Sequence, residues 1–204
     1  MNAIIKEGFQ NSMSYNTYRE LMKKLVAEKG TTGIEKTDAL INYTKLNDSR
    51  MHRWDKTLKI SDDDKAKFSH FHENISWLVI TESWCGDGAH IVPALNKIAE
   101  AINIDFRVVL RDDNLDLMDM FLTNGARAVP MLIMIDNTTG DVINTFGPRP
   151  SEATQMVQDY KAKYGMITPE FKEDLQVWYN KDKGQSIVKD ISKKLCQLVP
   201  SICQ

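Results

Sequence analysis

The chain has 204 residues, 42% of them apolar and 26% charged, an ordinary balance for a globular chain long enough to bury a sizeable core. Its 26 Lys and Arg against 28 Asp and Glu give a formal net charge of -2; this argues against a nucleic-acid partner, which calls for a basic face. No apolar run approaches the roughly 18 residues of a membrane span, no leader-like segment opens the chain, and three cysteines make no even disulfide framework. These features point to a cytoplasmic protein without membrane contact.

Residues 1–74 read as a helical extension. Tyr18, Leu21, Met22, Leu25 and Val26 fall on one stripe at helical spacing, and Gly30 and Gly33 end that helix. Thr37 reads as the N-cap of a second helix carrying Leu40, Ile41, Tyr43 and Leu46. Asn47-Asp48-Ser49 reads as punctuation before a third helix with Met51, Trp54 and Leu58. Ser61 followed by three aspartates reads as a cap with an acidic first turn, ahead of Phe68, Phe71 and Ile75.

From residue 75 onward the pattern alternates. Strands are expected at 77–82, 104–110, 131–135 and 142–146, the last two joined by an Asn137-Thr138-Thr139-Gly140 hairpin turn. Helices are expected at 85–102, 114–122 and 151–164. Strand, helix, strand, helix and hairpin make an α/β unit with a parallel start and an antiparallel end. Residues 169–179 and 185–198 read as two further helices. The organisation is therefore an N-terminal extension (1–74), an α/β domain (75–165) and a C-terminal helical extension packed on it (166–204).

Ser83-Trp84-Cys85-Gly86-Asp87-Gly88-Ala89-His90 stands where the first long strand turns into a helix. The first turn of a helix offers unpaired N–H groups and the positive end of its dipole, which favour a thiolate over a thiol. Cys85 is thus the candidate nucleophile. Trp84 shields one side of it, and Gly86 and Gly88 leave the backbone open. Asp87 suits a helix start but repels a thiolate, so it works against an acidic cysteine. The stretch resembles the Trp-Cys-Gly-x-Cys turn of thioredoxin-like proteins. It is most similar to a bacterial branch reading Thr-Glu-x-Trp-Cys-Gly-Asp-Cys-Ala-His. Pro93, eight residues past Cys85, matches the family's helix-kinking proline. Val129-Pro130, 45 residues past it, stands near the spacing of the family's cis-proline. The resemblance spans residues 75–164 and implies a thioredoxin-like fold with a central mixed sheet.

The resemblance implies thiol–disulfide exchange with protein or small-molecule thiols and disulfides, using no cofactor. Gly88 replaces the branch's second cysteine, so a mixed disulfide on Cys85 would need an outside thiol to resolve it. Trp84, Gly86, Asp87, Gly88, Val129 and Pro130 are the expected substrate-contacting positions. Val129, ahead of a cis bond, would offer its backbone to an extended peptide. Two other readings stand beside the enzyme: a thioredoxin-fold binding module that has lost its redox cycle, and a Gly88 introduced to trap substrates. The acid buried beneath the active site in thioredoxins has no match, Val79 occupying that place, and Glu82 is the nearest carboxylate. Cys196 and Cys203, about 10 Å apart along one helix face, read as unpaired unless Pro200 unwinds the chain between them; one of them serving Cys85 as a distant resolving thiol is a further hypothesis. His70, His72 and His90 do not converge into a metal site. Gly147-Pro148-Arg149-Pro150 reads as a rigid turn whose arginine could steer partners. The oligomeric state is not specified by the sequence.

Overall fold

The computed structural model describes residues 1–68, Phe71 and residues 74–200; His70, His72 and Cys203 lie outside the described residues. Five strands form one mixed sheet: β1 (Met13–Ser14), β2 (Ile75–Thr81), β3 (Asp105–Leu110), β4 (Met131–Asp136) and β5 (Val142–Phe146). Their order is β1-β3-β2-β4-β5. β2 is parallel to β3 and antiparallel to β4, while β1 and β5 close the edges antiparallel to β3 and β4. This is the expected α/β architecture, with helices on both faces and helical extensions at each end.

The middle of the sheet is set by side-chain alternation. All seven residues of β2 are buried. Trp77 and Val79 enter the larger core, and Leu78 and Ile80 enter the smaller one on the opposite face. In β4, Leu132 and Met134 join the first core, and Met131, Ile133 and Ile135 the second. A slip of one residue would exchange the two sets, so the pairing of Val79 with Leu132 is firmly specified.

Nine helices are present among the described residues: α1 (Ala3–Gln10), α2 (Tyr15–Ala27), α3 (Asp38–Thr57), α4 (Asp62–Phe68), α5 (Gly88–Ile102), α6 (Leu115–Asp119), α7 (Ser151–Tyr164), α8 (Pro169–Asp182) and α9 (Gln185–Leu198). α5 is apolar almost all round, with Ile91, Val92, Ala94, Leu95 and Ile98 at most 1% exposed, as a helix must be when it is covered on both sides. It lies on the larger core beside α3 and α9. Thus both extensions touch the helix that follows the Cys85 turn. Among the described residues no helix is long and apolar enough to cross a membrane.

Several local expectations are met by side-chain geometry. Thr37 Oγ1 accepts from Leu40 N–H at 3.3 Å, and Ser61 Oγ accepts from Asp64 N–H at 3.0 Å. Others are corrected. The predicted break at Asn47-Asp48-Ser49 is absent, and α3 runs unbroken over Asp38–Thr57. There Asn47 is fully buried and Asp48 receives Arg19 from α2 at 2.8 Å; tertiary partners override the weak helix propensity of these residues. α1 and the two-residue β1 were not anticipated, being too short to show a period. α6 covers only the middle of the expected 114–122.

Candidate functional site

The turn between β2 and α5 is clamped from the N-terminal side. Ser83 N–H donates to Thr32 Oγ1 at 2.8 Å, and Thr32 N–H donates to Ser83 Oγ at 2.9 Å. Asn47 Nδ2 donates to the Ser83 carbonyl at 2.9 Å. Glu82, 1% exposed, accepts from the Thr32 hydroxyl and from Asp112 N–H. Burial raises its carboxyl above the ordinary value, opposed by those two hydrogen bonds. Glu82 is therefore a structural fastener rather than a proton acceptor aimed at Cys85. Arg111 lies over the half-buried Trp84 ring, 4.8 Å from its centroid.

Cys85 precedes the helix instead of opening it, because α5 begins at Gly88. The expected helix contribution survives as one contact: Gly88 N–H donates to Cys85 Sγ at 3.3 Å. The thiol in turn donates to the Val129 carbonyl at 3.2 Å. Val129–Pro130 is a cis peptide, as is Gly147–Pro148, and Gly147 lies against the Pro130 carbonyl. The structure thus brings Cys85, Val129 and Pro130 together.

The helix-end setting read from the sequence favours a thiolate, and burial works against it. Cys85 is 7% exposed and shares the smaller core with Leu78, Ile80, Met118 and Val129. Burial, followed by the nearby Asp87 charge, pushes its thiol up to about 12; the Gly88 N–H and Arg149 oppose this without reversing it. A charged sulfur there would have to give up hydration that the surrounding hydrocarbon cannot replace. Proton linkage follows. The native thiol holds its proton above the pH where the unfolded thiol, near 9, releases it, so stability present below pH 9 is lost as pH rises toward 12. At pH 10 the loss expected from Cys85 alone is about 1.4 kcal/mol. Urea unfolding of wild type and Cys85→Ala across that range measures it, the variant lacking this loss.

Gly88 takes the place of a second cysteine, and the neighbourhood fits glycine. A Cβ there would lie 2.7 Å from Thr81 Oγ1 and 3.5 Å from Cys85 Sγ. Asp87 does not cap α5 through its side chain. Its Oδ2 pairs with Arg149 at 2.7 Å, and Tyr179 Oη donates to its Oδ1 at 2.9 Å. Burial nonetheless holds the carboxyl above its usual range, against Arg149 and Tyr179. Arg149 is consequently a partly exposed structural partner of the buried Asp87, its charge already paired.

His90 is held in a neutral state. Its Nδ1 accepts from Trp54 Nε1 at 2.8 Å, and its Nε2 faces Gln176 Oε1 at 2.8 Å, which places the ring proton on Nε2. The Tyr179 ring stacks on it with centroids 4.4 Å apart. Burial drives its pKa down to about 3. Among the described residues, no group of three or more His, Cys, Asp or Glu could hold a metal.

Gln176 and Tyr179 were not singled out from the sequence. The available signal was the stripe Phe171, Leu175 and Tyr179, four residues apart and all buried, which marks the inward face of α8. Cys85 is a free thiol. Cys196, expected to be unpaired, is instead disulfide-bonded.

The thioredoxin family model matches residues 33–161. No curated protein matches the chain. Two solved structures share the fold. A protein of unknown function from Pseudomonas aeruginosa is 13% identical with a TM-score of 0.57, covering 76% of this chain and 86% of its own. An HIV epitope scaffold is 15% identical with a TM-score of 0.55, covering 90% of this chain and 98% of its own. A sheet with this order, a Trp-Cys-Gly turn at the end of its central strand, and a family match over more than half the length support one conclusion: the chain belongs to the thioredoxin family.

Proposed function

We propose that this protein is a thioredoxin-fold binding module whose Cys85 runs no thiol–disulfide cycle in the conformation described. The observation that carries this reading is the Cys85 thiol, buried and donating to the Val129 carbonyl. The second supporting feature is Gly88, which leaves no adjacent thiol to resolve a mixed disulfide. A binding role is favoured by exposed apolar side chains just past α6. Met120 and Leu122 are 40% and 43% exposed. They flank Phe121, which packs with Trp84 on the core containing Cys85. The partner class under this reading is protein.

Alkylation by iodoacetamide at neutral pH, followed by mapping of the Cys85 peptide, tests the proposal. A thiol held near 12 rather than 9 has about 10³-fold less thiolate, so native Cys85 should react about a thousandfold more slowly than in urea. Insulin reduction with a supplied dithiol should not exceed that of Cys85→Ser. Rapid native labelling together with turnover lost in Cys85→Ser would overturn the reading in favour of a monothiol exchange enzyme. That second reading has its own support in Gly88 N–H and Arg149, which both favour the thiolate.

A further inference from the structure

We infer that the outward face of α3 beside Gly86 is a docking surface for an acidic protein segment, whose carboxylate is received by Arg50 and Arg53. The inference rests on the binding-module reading and names the chemistry of the partner.

Tyr43, Leu46, Arg50 and Arg53 share one face of α3 at helical spacing, next to the stripe that buries Met51 and Trp54. Tyr43 and Leu46 are each 45% exposed. Tyrosine and arginine are the residue types that carry much of the energy in protein interfaces.

The charge on this face has no counterpart. Among the described residues neither Arg50 nor Arg53 enters an ion pair. Asp48 and Asp55, on the opposite side of the same helix, are both taken by Arg19 of α2. The α8 side chains that meet the arginines are amides. Asn180 accepts from Arg53. Gln176 Nε2 and Arg50 Nη1 lie 3.5 and 3.8 Å from where a Gly86 Cβ would project. Asp87 is already held by Arg149 and Tyr179. Arg50 donates to Asn47 Oδ1 at 2.9 Å, which uses one of the several donors of its guanidinium. Burial, then the Arg53 charge, disfavours the charged form of Arg50, with Tyr43 and Asp87 opposing. A carboxylate seated across the two arginines satisfies the spare donors in the paired geometry that guanidinium favours and offsets the repulsion between them. An apolar side chain next to that carboxylate would lie on Tyr43 and Leu46.

Selection of random linear peptides, displayed on phage, against the full chain tests the surface. Enriched peptides should carry Asp or Glu beside an apolar residue. A synthetic copy of the tightest binder should lose about tenfold in affinity for Arg50→Gln, and about tenfold when its own acidic residue is made an amide. Both changes together should cost little more than either alone. Amide shifts in the wild-type chain should centre on Tyr43, Leu46 and Gly86. No enrichment, enriched peptides without an acidic residue, or affinity that survives Arg50→Gln and Arg53→Gln overturns the docking surface. Displacement of the peptide by inorganic phosphate, at concentrations where acetate has no effect, assigns the arginines to a phosphate-bearing ligand and also overturns it. Shifts centred on Met120 and Leu122 overturn the α3 surface and leave the binding-module reading intact. Rapid native labelling of Cys85 with turnover overturns that reading independently of the α3 result. Should Arg50→Gln fail to fold, Arg53→Gln and the amide change in the peptide still decide.

Discussion

Replacing Arg149 with alanine is expected to destabilise the fold by about 3 kcal/mol at neutral pH. The Asp87 side chain it pairs with is 9% exposed, and Arg149 itself 25%. Removing the guanidinium leaves a carboxylate in a place where water cannot restore its solvation. Tyr179 Oη remains as a donor, but one hydroxyl does not substitute for a full charge. The pH profile carries the diagnosis. Asp87 already sits above its ordinary value through burial, against the pull of Arg149, so the native state binds its proton more readily than the unfolded state. Stability from this group is therefore fully present below the unfolded value and falls as pH rises through the native one. Loss of Arg149 moves the native value higher still. The penalty should be absent in acid, where Asp87 is neutral in both proteins, and should grow as pH rises through the wild-type native value. Adding Asp87→Asn to the variant should recover more than half of the loss, because a neutral amide can still accept from Tyr179 and needs no counter-charge. A flat pH dependence of the penalty, with no recovery in the double variant, would show that Arg149 acts only through packing.

The fold was legible because its core strands announce themselves locally. The alternation along β2 and β4 separates two cores whose membership can be read two residues at a time, and caps such as Thr37 and Ser61 need only their own neighbours. The electrostatics of the site were not legible in the same way. Asp87 looked like a helix-start carboxylate, yet its partner Tyr179 is 92 residues away, and periodicity says nothing about such pairings. Thr32 and Ser83, 51 residues apart, were likewise unremarkable until folded together. The Trp-Cys-Gly turn marks the strand-to-helix junction in the sequence, but not the burial of its sulfur, 7% exposed. Thiolate character depends on hydration, and hydration here is set by covering elements distant in sequence. Arg149 shows the same limit, since an arginine in a proline-flanked turn reads as exposed until a buried carboxylate claims it.

His90 should make the protein acid-labile to an extent that one substitution removes. Its ring is buried 2% exposed, with Nδ1 saturated by Trp54 and Nε2 by Gln176. Protonating Nδ1 would break the Trp54 bond and place a cation near Arg50 and Arg53, which already disfavour the charged form behind the dominant effect of burial. The native pKa falls to about 3 from an ordinary 6.5. Between these values the unfolded chain binds a proton that the native state refuses, so stability rises with pH across this window and is lost as pH falls from 6.5 toward 3. The expected contribution is a loss of about 3 kcal/mol by pH 4. Asp87 and Glu82, both held above their ordinary values by burial, pull the other way in the same window. The informative quantity is therefore the difference between wild type and His90→Gln, not the wild-type slope. A glutamine accepts from Trp54 and donates to Gln176 without a titrating proton, so the variant should stay close to wild type near neutral pH and show a shallower acid limb in urea unfolding, the two separating by about 3 kcal/mol near pH 4. An independent readout is the His90 ring resonance, which should stay unshifted from pH 8 to pH 5. A resonance that titrates near 6.5 would mean that the ring reaches water, and the packing of α3, α5 and α8 around it would have to be redrawn.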